Sequence, residues 1–354
     1  MTTVRSIFED DHAAFAESFR AFVTLQSEEP DVVARAGENG LLGMEVPEQY
    51  GGAGVKDPRF CAVALEELVG AGKVGQALAY ASQVGVGVAV LTNYANSEQQ
   101  RTWLPTLATG KSTIAVATEI VSGTPTGNGD IVVLDGSCRA VLNGGPADVA
   151  LIPIQIDRED VVRLAVVDPT AAGVYRASVD ALALASAGLA EFTFASAEVT
   201  WSALLPAAAW ALLRTAFRLW SAVIAVAGAR VAVDWTCGYV RERTVFGRPV
   251  AAFENTRQVL GGLSAELTAA QSFIDQCVRW HGAHSLTAAQ AAAAKLTCSD
   301  LFGRAADEGL QLHGGYGYMR EYPISELFAD SRFFRWLPEP NESLRLELAR
   351  ELKL

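Results

Sequence analysis

No Cys-x-x-Cys pair occurs in this sequence; its five cysteines, Cys61, Cys138, Cys237, Cys277 and Cys298, are scattered. That pattern indicates neither a zinc site nor a disulfide framework, and it suits a reducing cytosol. Basic charge is short as well. Lys and Arg number 28 against 40 Asp and Glu, a formal net charge of −12 at pH 7. Nucleic acid and anionic membrane surfaces want basic patches, so neither is expected as a partner. The two apolar runs that stand out are interrupted or short. The start, Met1-Thr-Thr-Val-Arg-Ser6, has nothing resembling a signal peptide. The run Leu204 to Leu213 is interrupted by Pro206. Ala222 to Val233 contains Arg230 and is too short to span a bilayer; it reads as a buried core helix.

What is present is a chain of 354 residues, half of them hydrophobic, enough for a large core and two or three domains. Residues 4 to 36 read as mostly helix, with Phe8, Phe15, Phe19 and Phe22 at helical spacing. The segment Gly40-Leu-Leu-Gly-Met-Glu-Val-Pro-Glu-Gln-Tyr-Gly-Gly-Ala-Gly54 is a loop by its proline and glycine pairs. Glu66 and Glu67 follow on a helix and read as a solvated face. Two more helical patterns fill 73 to 109, parted near Asn93 to Ser97, where Ser97 and Gln100 have capping-box spacing. From Ser112 the period changes to that of short strands, with turn-rich sequence up to Gly136. Helices resume at Ala208 and run to Leu352, with Asn341 a candidate N-cap behind Pro338 and Pro340. The expected fold is mainly α, with an N-terminal helical domain (1–112), a small middle β domain (113–207) and a C-terminal helical bundle (208–354).

Two motifs stand out in the last part. Arg243-Thr-Val-Phe-Gly-Arg-Pro249 follows the first long helix, and Gln311-Leu-His-Gly-Gly-Tyr-Gly-Tyr318, continuing to Glu321-Tyr-Pro323, ends a later one. Glycine gives backbone conformations that a side chain forbids and lets another backbone or a ligand approach. With the Val46-Pro-Glu-Gln-Tyr-Gly-Gly52 loop, these motifs resemble those of the acyl-CoA dehydrogenase family of flavoproteins. The resemblance implies a barrel or sandwich for the middle β domain and a four-helix bundle for the C-terminal one, FAD as cofactor, an acyl thioester on coenzyme A or a carrier protein as substrate, and a homodimer or homotetramer whose flavin site a second subunit completes. It implies that Arg243 reaches the pyrophosphate of a neighbouring subunit's flavin, that Phe246 packs near it, and that Gln311, Gly314 and Gly315 supply the cross-subunit loop for the adenosine end. By residue type alone Arg243 could equally be a surface ion pair with an acid such as Glu242. His313 reads as a packed residue. In the middle domain the family's Thr-Glu-Pro survives as Thr118-Glu119-Ile120, so Thr118 is the cofactor contact expected there. No tryptophan lies between Trp103 and Trp201, where the family has a Trp-Ile-Thr strand over the ring. Glu254 stands where the family commonly has a glutamine.

Dehydrogenation of an acyl thioester needs a base near the α-carbon. The two positions that carry it in the family fall here on Pro338 and Phe217. Glu339, one residue on and flanked by prolines, is the candidate base, with Glu342 second to it. Arg218, matching an arginine beside the second base position, is a candidate substrate contact. Three readings follow: a flavin-dependent oxidoreductase using Glu339; a redox-neutral dehydratase, cyclase or isomerase on the same scaffold; and a base-lacking subunit paired with a paralogue. No metal is expected.

Overall fold

The computed structural model describes residues 5–25, 31–127, 130–157 and 159–354. The chain opens with α1 (Asp10–Leu25) and α2 (Val32–Glu38). Phe19 and Phe22 are buried at helical spacing, while Phe8 precedes α1. Residues 26–30 of the expected helical run lie outside the described residues, as do 128 and 129 of the turn-rich stretch. Then come α3 (Arg59–Gly70), α4 (Val74–Tyr80), α5 (Ala89–Tyr94) and α6 (Ser97–Ala108). A π-helical segment, Ala81–Val88, joins α4 to α5 and is buried throughout. The α6 cap sits one residue earlier than its spacing suggested. Asn96 accepts from the backbone of Glu98 and Gln99, and Gln99 completes the capping box. Gln100 instead donates to the carbonyls of Leu91 and Thr92.

Eight strands follow: β1 (Ile114–Val116), β2 (Val121–Pro125), β3 (Ile131–Val141), β4 (Val149–Ile156), β5 (Val162–Val167), β6 (Val174–Ser178), β7 (Ala190–Thr200) and β8 (Leu204–Leu205). They form one sheet in the order β6-β7-β3-β2-β4-β5-β8, with β1 on β4. The stretch read as turns contains the start of β3, which begins at Ile131, and the whole of β2, which pairs antiparallel with β3 and parallel with β4. Its glycine, threonine and proline content hid it, but Val121 and Gly123 point inward at period two. The C-terminal part comprises α7 (Ala207–Glu242), the hairpin β9 (Thr244–Val245) and β10 (Arg248–Pro249), α8 (Glu254–Gly282), α9 (Ala288–His313), α10 (Ile324–Phe333) and α11 (Asn341–Glu351).

The chain divides into two compact units: the chain through Thr24 with Ala62–Ala77 and Arg218–Leu354, and Leu25–Cys61 with Leu78–Phe217. In the first, α7 and α9 approach closely at Gly228, where an added Cβ would lie 2.5 Å from the Phe302 ring. Glu66 and Glu67 are not a free solvated face. Arg5 bridges Glu66 and Asp275, and Arg20 forks onto Glu67. In the second unit the sheet core gathers Val132, Leu134, Ile152, Ile154 and Phe192. Two helical stretches, Val74–Tyr94 and Ala207–Glu242, are long and apolar enough to cross a membrane by composition, but most of each is buried within the fold. The buried middle of α7 agrees with the core-helix reading of Ala222 to Val233.

Candidate active site

α9 starts on a capping box of Thr287 and Gln290 and runs unbroken to His313. Gly314 then takes φ 59° and ψ −137°, which only glycine adopts without strain. A 3-10 turn, Gly314–Tyr318, follows. Its glycines differ in kind. A Cβ on Gly317 would lie 2.5 Å from the Leu310 carbonyl oxygen, so that glycine is needed for packing. Gly314 and Gly315 have open space around the same position, and both are exposed. His313 is buried. Its Nδ1–H donates to the Gly309 carbonyl at 2.7 Å, and its ring stacks on Tyr239 at 4.1 Å between centroids. Burial lowers its pKa, with the Gly309 bond pulling the other way. This is the packed histidine the sequence suggested.

Arg243 lies just past the end of α7, and its guanidinium stands over the Tyr316 ring, 5.3 Å from the centroid. Tyr316 in turn packs on Tyr322, which meets the Tyr239 and His313 rings edge-on. Arg243 makes no side-chain ion pair among the described residues, so the surface-pair alternative with Glu242 is not what the structure holds. Phe246, at the tip of the β9–β10 hairpin with φ 50°, is 96 % exposed. Gln311 is exposed beside the glycine turn. Arg243, Gln311, Gly314 and Gly315 thus form one exposed donor set: a permanently charged fork, an amide and bare backbone. That chemistry fits a diphosphate with its attached nucleoside.

A second cluster surrounds Arg218. Its side chain is fully buried and meets two carboxylates. Nη1 donates to Glu347 Oε1 at 2.8 Å and Nη2 to Glu347 Oε2 at 2.7 Å. Nε and Nη2 both donate to Glu339 Oε2, the former at 3.2 Å. Burial opposes the charge, but the hydrogen bonds and field of Glu347 and Glu339 outweigh it and hold the guanidinium above its usual pKa. Lys295, also fully buried, donates to the Glu339 carbonyl and to Asn341 Oδ1, each at 2.6 Å. Burial pulls its pKa down to about 7. Asn341 is not a cap. Its amide donates to Ser299 and Asp300 inside this network. Phe217, at the second expected base position, is buried, and Glu342 is exposed on the first turn of α11.

In the other unit, Thr118 is half-buried with no hydrogen-bond partner for its hydroxyl among the described residues. Glu119 next to it accepts from the Arg139 backbone, and Cys138 donates to the Glu119 carbonyl at 3.1 Å. Val116 and Leu142 exchange backbone hydrogen bonds of 3.1 and 3.3 Å. Glu254 is exposed and accepts from Gln258. Sequence reasoning missed Glu347 and Tyr316. Glu347 carried a usable signal: it lies three residues beyond the buried Leu344, an acid at core spacing. Glu45 was also missed; enclosure and, next, the Asp57 charge raise its pKa to about 7.

Two helical segments bracketing a β domain in sequence, with an arginine hairpin and a glycine turn, define an acyl-CoA dehydrogenase fold. Comparison with known proteins agrees. The profile described as "Acyl-CoA dehydrogenase, N-terminal domain" matches residues 1–111, and that described as "Acyl-CoA dehydrogenase, C-terminal domain" matches 208–353. The mitochondrial long-chain specific acyl-CoA dehydrogenase of Sus scrofa is 28% identical, covering 99% of this chain and 88% of that protein. The crystal structure of an acyl-CoA dehydrogenase from Geobacillus kaustophilus superposes with a TM-score of 0.91 at 26% identity, covering 99% of this chain and 100% of that one. An acyl-CoA dehydrogenase complexed with FAD from Bacillus anthracis gives 0.86 at 26% identity, covering 98% of this chain and 67% of that one. The chain belongs to the acyl-CoA dehydrogenase family, whose members are FAD-dependent oxidoreductases acting on acyl-CoA.

Proposed function

We propose that this protein is an FAD-dependent oxidoreductase that introduces or removes an α,β double bond in an acyl thioester, carried on coenzyme A or on a carrier protein. The observation that carries the reading is a donor set from two segments: Arg243, with no ion-pair partner among the described residues, set on Tyr316 of the turn that carries the open glycines Gly314 and Gly315. Arg243 would hold the diphosphate of a neighbouring subunit's FAD, Gln311 and the two glycine backbones its adenosine end and Phe246 the adjacent apolar surface, while Thr118 would meet the polar edge of the ring in its own subunit's site. FAD, when bound, supplies the hydride acceptor that no amino-acid side chain provides. Glu339 would take the α-proton, with Lys295 fixing its backbone. The assembly in this reading is a homodimer or homotetramer. Five free thiols are consistent with a reducing, cytoplasmic setting.

The test is direct. Protein purified without added cofactor should show flavin absorbance bands and release FAD by mass analysis, and Arg243→Ala should lose most of it. Colourless protein that takes up no added FAD would sink this reading. One observation favours a redox-neutral alternative: no tryptophan lies between Trp103 and Trp201, where the family has a Trp-Ile-Thr strand over the ring. Turnover of a hydroxyacyl or enoyl thioester by flavin-free protein would select it.

A further inference from the structure

Residues 5–8 lie ahead of α1 in no helix or strand, so no backbone ladder holds them. Side chains hold them instead. Ile7 is buried, and the Arg5 guanidinium stands over the Phe8 ring, 4.6 Å from its centroid. That guanidinium divides its donors between two helices. Nε and Nη2 fork onto both oxygens of Asp275 on α8, and Nη1 meets both oxygens of Glu66 on α3. The three side chains are only 14 to 16 % exposed, so solvent screens them less than an open surface pair. Burial opposes the Arg5 charge, but Glu66 and Asp275 outweigh it and hold the group above its usual pKa. Asp275 is also placed from behind: Arg230 on α7 donates to Gln271, and Gln271 donates to Asp275 Oδ1 at 2.7 Å. Arg279, further along α8, donates to the Ser6 carbonyl and hydroxyl at 3.1 and 3.3 Å. One arginine thus ties α3 to a residue 270 positions further along the chain. A lysine, a point charge without the planar fork, could not serve both carboxylates in this way.

We infer that residues 5–8 are a strap tying α3 to α8, and that Arg5, through Glu66 and Asp275, is the pin that decides whether it stays closed. Opening is local: the strap lifts and exposes Ile7 while both helices remain folded. Glu66 and Asp275 are then left facing the place the guanidinium has vacated. The strap depends on neither cofactor nor substrate.

Trypsin, which cuts after arginine and lysine, tests this on the intact chain, because cleavage of a folded protein reports how often a segment opens. Loss of residues 1–5 is followed by mass, and cleavage at the exposed Arg320 serves as the internal control. Glu66→Gln and Asp275→Asn keep the side-chain shape and remove one charge each. Each should speed cleavage after Arg5 by about tenfold, as loss of a charged hydrogen-bonded contact would, and leave Arg320 unchanged. Arg5→Lys keeps a cleavage site and the charge but loses the fork, and should open faster as well. Arg279→Ala removes only the bonds to Ser6 and should speed cleavage by a smaller factor. Unaltered cleavage after residue 5 in Glu66→Gln, Asp275→Asn and Arg5→Lys overturns the inference. So does equal acceleration at Arg320, which would mean that the carboxylates support the whole fold and not the strap. If a carboxylate variant does not fold, Arg5→Lys and Arg279→Ala decide between the same outcomes.

Discussion

Glu45 shows how far a single side chain departs from its sequence context. It sits in a loop legible from proline and glycine, yet nothing in the sequence marks it as enclosed. Burial, then Asp57, raises its pKa from 4.5 to about 7. A carboxyl whose folded value lies above its unfolded one binds extra proton in the native state between those values. Its contribution therefore favours folding below about pH 4.5 and declines as pH rises to about 7, by at most roughly 3 kcal/mol. Glu45→Gln should remove that decline, so thermal midpoints of variant and wild type should converge near pH 5 and separate in the variant's favour at pH 8. His281, lowered to about 4 by burial, slopes the opposite way over part of this range, but it is present in both proteins and cancels in the difference. A constant offset across pH would refute the assignment. Tyr316 is the second residue-scale case. The ring under Arg243 should be worth about 2- to 5-fold in cofactor affinity if a cation–π contact of roughly 0.5–1 kcal/mol orients the guanidinium. Fluorescence titration with FAD should show that loss in Tyr316→Leu and near-normal binding in Tyr316→Phe.

At the level of elements, helices were the most legible part of the chain. The spans of α7 and α9 follow from long proline-free apolar patterns, and their ends from a hairpin motif and a glycine run. The strand β2 was not legible, because Gly123, Thr124 and Pro125 are turn residues that here stand in a ladder. Asn341 looked like a cap because proline precedes it; Lys295 claims its side chain from 46 positions away in sequence, a pairing no local pattern reports. The glycine turn was found as a motif, but the division of labour among its glycines needed coordinates. Gly317→Ala should push its new methyl against the Leu310 carbonyl and lower the midpoint of unfolding, by the 1–3 kcal/mol typical of overpacking. Gly315→Ala meets open space and should fold normally, while weakening FAD uptake by blocking approach to the backbone. Calorimetry and cofactor titration on the two variants separate these outcomes; equal destabilisation would remove the distinction.

For the molecule as a whole, the family came from a few motifs at the two ends, whereas the buried charge network of Arg218, Glu339 and Glu347 was not legible because its members span 129 positions. The same scale carries the last expectation. Phe246 is a large apolar side chain, 96 % exposed and held at positive φ on the tip of a two-residue-strand hairpin. Tyr318 and Met319, on the glycine turn, are exposed too. A single exposed apolar group is ordinary, but one held at φ 50°, where bulky residues are rare, is the place to test the proposed homo-oligomer. If a neighbouring subunit covers it, Phe246→Asp puts a charge into an apolar contact and should shift the protein toward monomer in light-scattering chromatography. Arg243 is only three residues away and would lose its cofactor with the interface, so FAD content should fall in the same fractions. A variant that stays oligomeric, or that becomes monomeric while keeping its full flavin complement, would separate the hairpin from the cofactor site.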